Sequence, residues 1–309
     1  MNAEKSKSPQ FPLRSLRPLR FKFCYTLKPM TPKIVFDGLA FPEGPRWHED
    51  ALYFSDMHDG IVWRLTPEGV ATKVAEAPGL PSGLGWLPDG SLCVVSMLDR
   101  LLLRHNGQGF TTYAKLTFDT PYPINDMVID RTGRAYIGGF GFDLNKREAP
   151  RPSVLFCVEA YGSVRVVAEN LLFPNGMVIT PDDKALIVAE TFGTKLTAFT
   201  IHNDGSLTDR RTFADLNGIA PDGICLDEEG GIWVACPTTD TILRVTEGGK
   251  VTDTIALPGR HSYACMLGGS DRRDLYICTA QSFYPEQTKM QRAGKIEVVR
   301  VQVPGAGLP

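Results

Sequence analysis

A repeat of about 40 to 50 residues runs through most of the chain and restricts the folds that it can adopt. Each copy has a polar residue, a short apolar strand, a turn that often contains Asp or Gly, and a second apolar strand. The fifth copy, for example, pairs Asp222–Leu226 with Gly231–Ala235. The six copies begin at Glu43, Ser82, Asn125, Asn175, Asp222 and Tyr263. Several strands within such a period are typical of β-propellers, so the sequence predicts an all-β fold, a six-bladed β-propeller.

The ends of the repeat region predict how the ring closes. The segment Lys33–Asp37 precedes the first copy and is one strand more than that blade needs. Because an unpaired edge strand invites aggregation, we expect it to complete the sixth blade beside Lys295–Arg300. No segment shows a long apolar pattern of helical period, so helix should be scarce. The propeller is predicted to span residues 31–303, followed by a short tail at 304–309.

The first 30 residues differ from the rest of the chain. Before Met30, seven Lys and Arg accompany a single acidic residue, Glu4, and no apolar stretch has the length of a secretory signal. Two interpretations stay open: an organellar targeting segment, or a start site placed too early, since Met30 stands just before the first strand. In both cases residues 1–30 should lie outside the fold and be poorly ordered. Without targeting, the protein is expected to be cytoplasmic.

Composition argues against several classes of partner. The formal net charge of -2 gives no electrostatic basis for binding nucleic acid or an anionic membrane. No apolar run reaches the roughly 18 residues that predict a membrane span. The seven cysteines are odd in number and lie mostly in apolar strands, so we expect buried thiols in a reducing compartment rather than disulfides. The expected partner is a small molecule, and the chain is expected to be a monomer or weak homo-oligomer.

The first residues of the six repeats form a polar set that should converge. In a propeller the innermost strand of each blade lines the central channel, so these positions meet at one end of it. Glycine follows at four of them, where we expect it to let the backbone turn tightly. These glycines are Gly44, Gly83, Gly176 and Gly223.

Four members of the polar set carry acids or amides, namely Glu43, Asn125, Asn175 and Asp222. Two carboxylates converging in a confined channel repel each other, and a bound cation removes that repulsion. Oxygen donors without thiol or imidazole suit a hard ion. The set therefore predicts one divalent metal ion, with Ca²⁺ favoured and Mg²⁺, Zn²⁺ or Mn²⁺ as alternatives. The competing explanation is that such residues are simply common at turns.

The second strand of each blade should end on the same face and form the wall of a pocket. Asp56 and Glu190 lie at such ends and are candidates for orienting ligands or water. His58 follows in the first blade and is a candidate acid, base or wall residue. The insertion Leu144–Pro152 is either a lid or a plain surface loop.

An ordered set of motifs resembles the senescence-marker-protein/gluconolactonase/luciferin-regenerating-enzyme family. The motifs are Phe41–Trp47, Asn125–Asp126 with Asp130–Arg134, Phe173–Gly176, and Pro221–Asp227 with Gly231–Ala235. The resemblance implies a propeller that hydrolyses sugar lactones or related cyclic esters, with a metal ion held by Glu43, Asn175 and Asp222. It implies that Asn125 contacts the metal, directly or through water, and binds substrate. It also implies that Asp222 acts as general base or acid.

One position departs from the sugar-lactone members of that family. They carry an arginine two residues before the blade-three asparagine, where this chain has Pro123. The departure disfavours gluconolactone itself and favours a less hydroxylated substrate. An acidic substrate-binding position of the family corresponds to Asp143, and His58 and Tyr263 complete the predicted substrate-binding set.

The predicted function is a divalent-metal-dependent hydrolase that opens a lactone ring with activated water. No G-x-S-x-G motif is present, so a covalent acyl-enzyme is not favoured. Two alternatives stay open. One is an aryl-ester or phosphotriester hydrolase at the same metal site, and the other is a non-catalytic propeller that binds calcium or protein partners.

Overall fold

Six four-stranded antiparallel sheets make up the computed structural model of the chain, which describes residues 30–308 except 118–120, 145 and 147. The prediction of a six-bladed β-propeller is confirmed. The basic segment at residues 1–29 lies outside the described residues.

The first three blades follow the strand β1 (Lys33–Leu39). Blade one contains β2 (Pro42–His48), β3 (Ala51–Asp56), β4 (Ile61–Leu65) and β5 (Ala71–Glu76), with a short 3-10 helix at Met57–Asp59. Blade two contains β6 (Pro81–Trp86), β7 (Leu92–Ser96), β8 (Leu101–His105) and β9 (Phe110–Lys115). Blade three contains β10 (Ile124–Ile129), β11 (Ala135–Gly139), β12 (Ser153–Val158) and β13 (Val164–Leu171).

The remaining blades continue in the same order. Blade four contains β14 (Pro174–Ile179), β15 (Ala185–Glu190), β16 (Lys195–Ile201) and β17 (Leu207–Asp215). Blade five contains β18 (Ile224–Leu226), β19 (Ile232–Cys236), β20 (Thr241–Thr246) and β21 (Lys250–Ala256). Blade six contains β22 (His261–Gly268), β23 (Asp274–Ala280) and β24 (Gly294–Arg300), with helix α1 (Pro285–Gln291) between the last two. Within the described ranges, no helix has the length and apolar character to cross a bilayer.

The ring closes as the sequence predicts. Strand β1 pairs antiparallel with β24, from Lys33 opposite Val298 to Leu39 opposite Gly294, and becomes the outer strand of blade six. Phe36 of β1 also packs against blade one, with its ring centroid 5.7 Å from that of Trp63. The N-terminal strand therefore ties the last blade to the first and removes the open edge.

The core lies between neighbouring blades. The middle strands are buried on both faces because each blade packs against two others, and all of Leu92–Ser96 in β7 is buried. Val95 of blade two and Ile137 of blade three belong to one such apolar cluster. The outer strand β17, by contrast, is mostly exposed. Six cysteines, all those after Cys24, are free and buried, as expected.

Residues 304–308 lie against the propeller at the end opposite the first residues of the inner strands. Leu308 pairs with Ile179 and Gly305 pairs with Asp227, each near the end of an inner strand. The backbone N–H of Gly305 also donates to the carbonyl of Arg272 in blade six at 2.7 Å. The segment placed outside the propeller by the sequence thus contacts blades four, five and six.

Candidate functional site

The first residues of the inner strands meet at one end of the channel because those strands are irregular there. In five blades the pairing of the inner strand with the second strand shifts register at this position, as it does between Glu43 and Arg46. A bulge turns a side chain out of the regular alternation of the strand. In blade five β18 begins only at Ile224, and Asp222 is held before it by a hydrogen bond from its N–H to the carbonyl of Ala235 at 2.9 Å.

The glycines beside these residues have a different role from the expected one. Of the four, only Gly44 has a positive φ, +54°. A Cβ on Gly176 would lie 2.6 Å from the Cα of Gly223, and a Cβ on Gly223 would lie 2.6 Å from the Cβ of Ala264. The expectation of tight turns was therefore wrong at Gly83, Gly176 and Gly223. Glycine is needed there because the inner strands of neighbouring blades come too close near the axis for a side chain.

Hydrogen bonds connect the polar residues of blades two to four. The hydroxyl of Ser82 donates to Oδ1 of Asn125 at 3.3 Å, and Nδ2 of Asn125 donates to Oδ1 of Asn175 at 2.9 Å. Nδ2 of Asn175 donates to the hydroxyl of Thr191 at 3.1 Å. Ser82, both asparagines and Thr191 are buried, so this chain of bonds fixes the orientation of both amides.

The two carboxyl groups of the predicted set influence each other. Burial raises the pKa of Glu43 to about 8. The N–H of Gly44, which donates to Oε2 of Glu43 at 2.9 Å, acts in the opposite direction and lowers that pKa. Burial, and then the negative charge of Glu43, raise the pKa of Asp222 well above its usual range. Asp126 adds to the rise at both groups. Neither group ionises readily unless positive charge is supplied.

Asp126 belongs to this charge cluster, and no role for it was predicted from the sequence. Its Oδ1 lies 2.7 Å from Nη2 of Arg46, and both side chains are buried. When Glu43, Asp126 and Asp222 are ionised, Arg46 leaves two negative charges unbalanced. The sequence signal for Asp126 is its position next to Asn125, in the motif that combines Asn125–Asp126 with Asp130–Arg134.

The donor set fits a hard divalent cation. Glu43, Asp222, Asn125 and Asn175 supply the carboxylate and amide oxygens that such an ion prefers, and a doubly charged ion would neutralise the surplus negative charge. Among the described residues, no cluster of three or more His, Cys, Asp or Glu side chains has the arrangement of a metal site.

A cavity of about 630 Å³ opens above this polar floor. All the predicted site residues line it: Glu43, His58, Asn125, Asp143, Asn175, Asp222 and Tyr263. Their individual roles stay predictions, but the structure brings the whole set together. A second depression of about 680 Å³ lies on blades one and two around His48 and Trp86 and contains none of them.

The ends of the second strands form part of the cavity wall, as expected for Met57, Met97, Phe140, Thr191 and Pro237. Asp56 and Glu190, the candidates for orienting ligands or water, do not themselves line the cavity, and that role stays a prediction. The carboxylate oxygens of both residues accept hydrogen bonds from neighbouring strands and loops. Asp56 accepts hydrogen bonds from the N–H groups of Ala40 and Phe41, at 3.1 and 2.7 Å, and Glu190 accepts from Leu172 N–H and Thr197 Oγ1, at 2.8 and 2.5 Å.

A segment before and within α1 forms another part of the wall, which the sequence analysis missed. Phe283, Tyr284 and Gln287 line the cavity. Thr288 anchors the helix, since its Oγ1 lies 2.6 Å from Nδ1 of His58. A signal was present: Pro285 opens a run of good helix formers, and proline is favoured at the first helical position. In the insertion predicted as a lid or surface loop, Leu144 lines the cavity, and residues 145 and 147 lie outside the described residues.

The architecture and site define a class: a six-bladed propeller with an acid- and amide-lined cavity at one end of its axis. The chain belongs to the SMP-30/gluconolactonase/LRE-like family, whose model matches residues 41–281. The family resemblance seen in the motifs is confirmed.

Three known proteins illustrate the relationship. The chain is 27% identical over 275 residues to a 6-deoxy-6-sulfogluconolactonase from Pseudomonas putida, covering 86% of this chain and 93% of that protein. It is 26% identical over 254 residues to a pentonolactonase from Haloferax volcanii, covering 80% of this chain and 84% of that one. A solved structure described as a calcium-binding protein, regucalcin, from Agrobacterium tumefaciens superimposes with a TM-score of 0.77 at 21% identity, covering 91% and 97% of the two chains. That likeness supports the fold.

Proposed function

We propose that this protein is a divalent-metal-dependent hydrolase that opens a lactone ring with water. The observation that carries the proposal is the convergence of Glu43, Asn125, Asn175 and Asp222 on the floor of one cavity, with more negative charge than Arg46 balances. Membership of the family and the lactonase names of two relatives support the same reaction class.

Glu43, Asn175 and Asp222 would hold the metal ion, with Asn125 beside them. A divalent cation, when bound, polarises a substrate carbonyl and stabilises the negative charge that develops on its oxygen. The all-oxygen donor set favours Ca²⁺, and the calcium-binding description of the regucalcin structure agrees with that choice.

Asp222 would carry the proton transfers. Its carboxylate takes a proton from the attacking water as the new C–O bond forms, and returns that proton to the ring oxygen as the acyl C–O bond breaks. The product is a hydroxy acid, so atoms and charge balance. Asn125 has a second amide N–H beyond the one donated to Asn175, which is available to hold the substrate.

The neighbouring aromatic groups would shape the site without adding charge. Burial lowers the pKa of His58 to about 4, so its imidazole is neutral near pH 7. Burial, reinforced by Asp222, raises the pKa of Tyr263, so its phenol stays protonated. Both rings pack against Phe41, with centroids 4.7 and 4.6 Å away.

Asp222→Asn tests the assignment, because it keeps the shape of the side chain while removing its charge and its basicity. We expect lactone hydrolysis, followed with a pH indicator, to fall by about 10² to 10⁴-fold. We also expect calorimetric Ca²⁺ binding to weaken. Glu76→Gln is the matched control, since Glu76 is an exposed acid on blade one, and it should change neither measurement. Full hydrolysis by the Asp222 variant would refute the assignment.

The same assay separates the alternative functions. A panel of lactones, aryl esters and phosphotriesters, with and without divalent metal, distinguishes the reaction classes. Metal binding without turnover of any panel member would favour a calcium-binding propeller. Absence of both would favour a protein-binding scaffold.

A further inference from the structure

The cavity above the polar floor has two unlike sides. On blades two to four its wall is mostly apolar, with Asp143 and Thr191 as the polar members, and includes Leu98, Phe140 and Phe192. Most of the other polar side chains above the floor, such as Thr238 and Gln287, lie on blades five and six. A ligand seated here therefore has one apolar and one polar surface to contact.

Four aromatic rings build the apolar side and are called the phenylalanine wall below: Phe140, Phe142, Phe173 and Phe192. Phe140 and Phe173 have ring centroids 4.2 Å apart, and Phe192 stacks on Phe173 at 5.8 Å. Phe142 supports Phe192 from behind, with centroids 5.2 Å apart. The wall is thus a packed unit rather than a set of mobile side chains.

The mouth of the cavity is also apolar. Phe192 is 40% exposed, Leu98 is 51% exposed and Phe283 is 41% exposed, and all three line this cavity. Large apolar side chains gathered at one opening mark a surface that a ligand covers, because their exposure to water is unfavourable.

The described part of the lining offers no cationic side chain to an anionic ligand. Once a divalent ion neutralises Glu43 and Asp222, Asp143 is the acid that remains, and no lysine or arginine lines the cavity among the described residues. Lys146 lies 3.0 Å from Asp143 but is not part of the lining. The amides on the floor are mostly bonded to each other and to Thr191, and Phe140 and Phe192 offer no hydrogen-bond partner to the hydroxyl groups of a sugar ring.

We propose that the substrate is an uncharged lactone with an alkyl or aryl substituent that lies against the phenylalanine wall. The inference rests on the proposed function and specifies its substrate class. The lactone ring lies at the floor beside Asp222, and the substituent extends along Phe140 and Phe173 toward Phe192 at the mouth.

The test uses the full chain loaded with Ca²⁺ and a series of γ-lactones that share one ring. The series carries no substituent, then alkyl chains of increasing length, and is compared with glucono-δ-lactone and with a γ-lactone bearing a carboxylate. Each buried methylene should raise kcat/KM about fourfold, until the chain reaches the mouth. The sugar lactone and the carboxylated lactone should be the poorest substrates.

The variant Phe192→Ala tests whether the phenylalanine wall causes the rise of kcat/KM with chain length. It should lower kcat/KM for the longest alkyl lactone about tenfold or more and leave the unsubstituted lactone nearly unchanged. Tyr161→Ala is the control, since Tyr161 is a fully exposed aromatic residue outside the cavity, 99% exposed. Thermal unfolding of both variants verifies that they fold.

The outcomes separate this inference from the proposed function. If glucono-δ-lactone or the carboxylated lactone is opened fastest, the substrate class is wrong and the lactonase proposal stands. An unchanged dependence on chain length in Phe192→Ala would also refute the inference. If no lactone is opened, the proposed function fails and this inference fails with it.

Discussion

Gly176 lies where the inner strands of blades four and five come closest, directly after Asn175. A methyl group there would lie 2.6 Å from both the Cα of Gly223 and the N of Ile224, which are backbone atoms that cannot move aside on their own. We expect Gly176→Ala to lower the free energy of unfolding by about 3 kcal/mol and to weaken Ca²⁺ binding, because Asn175 shifts with its strand.

Gly109→Ala is the matched control for that prediction. A Cβ on Gly109 meets nothing within 4 Å, and its φ is not positive. Its effect on the free energy of unfolding should stay within about 1 kcal/mol. Chemical denaturation gives the free energy of unfolding of both variants. Equal losses would show that the close approach of the strands at Gly176 does not exclude a side chain there.

At the residue scale the sequence predicted which side chains converge, but not how. The repeat register identifies Glu43, Asn125, Asn175 and Asp222, because equivalent positions of a propeller share one end of the channel. It does not reveal the bulges that turn these side chains to the axis, since a register shift depends on the pairing of two strands. It gave Asp126 no role, because the ion pair with Arg46 crosses 80 positions of sequence.

At the element scale, helix α1 and the 3-10 helix at Met57–Asp59 form one side of the cavity together. His58 and Thr288 lie 2.6 Å apart, and Arg292 pairs with Asp59. Both contacts join blade one to the insertion in blade six. A repeat pattern cannot predict this insertion, because the insertion occurs in one blade only. The strands recur in every blade and were therefore predicted, whereas helix α1 was missed.

Protonation of His58 should loosen this contact. Burial, and then the positive charge of Lys289, lower the pKa of His58 from 6.5 to about 4, while Asp59 opposes the shift. Between pH 6.5 and about 4, His58 is therefore protonated in the unfolded chain but mostly neutral in the folded protein. The contribution of His58 to the free energy of unfolding is therefore fully present above pH 6.5. It decreases by up to about 3 kcal/mol as the pH falls toward 4.

His58→Gln, which cannot titrate, provides the comparison. Thermal unfolding of both proteins from pH 7 to pH 4 should show a steeper loss of Tm in the wild type than in His58→Gln. Parallel curves would mean that His58 keeps its ordinary proton affinity in the folded protein.

At the scale of the whole molecule, both ends of the described chain bridge blades. The pairing of β1 with β24 closes the ring, and it was predictable because a strand was left over before the first repeat. The C-terminal segment 304–308 joins blades four, five and six at the end opposite the site, and it was not predictable, since a short stretch rich in Gly and Pro carries no strand pattern.

Deletion of residues 304–309 should therefore destabilise the propeller and spare its cavity. The segment exchanges backbone hydrogen bonds with Ile179, Leu226, Glu228 and Arg272, which together contribute about 3 kcal/mol. We expect Tm to fall by about 5 to 10 °C. Ca²⁺ affinity below the transition should stay unchanged, because Asn175 and Asp222 lie at the other ends of the same inner strands. A deletion that weakens Ca²⁺ binding without lowering Tm would instead couple this segment to the site and would contradict a purely structural role.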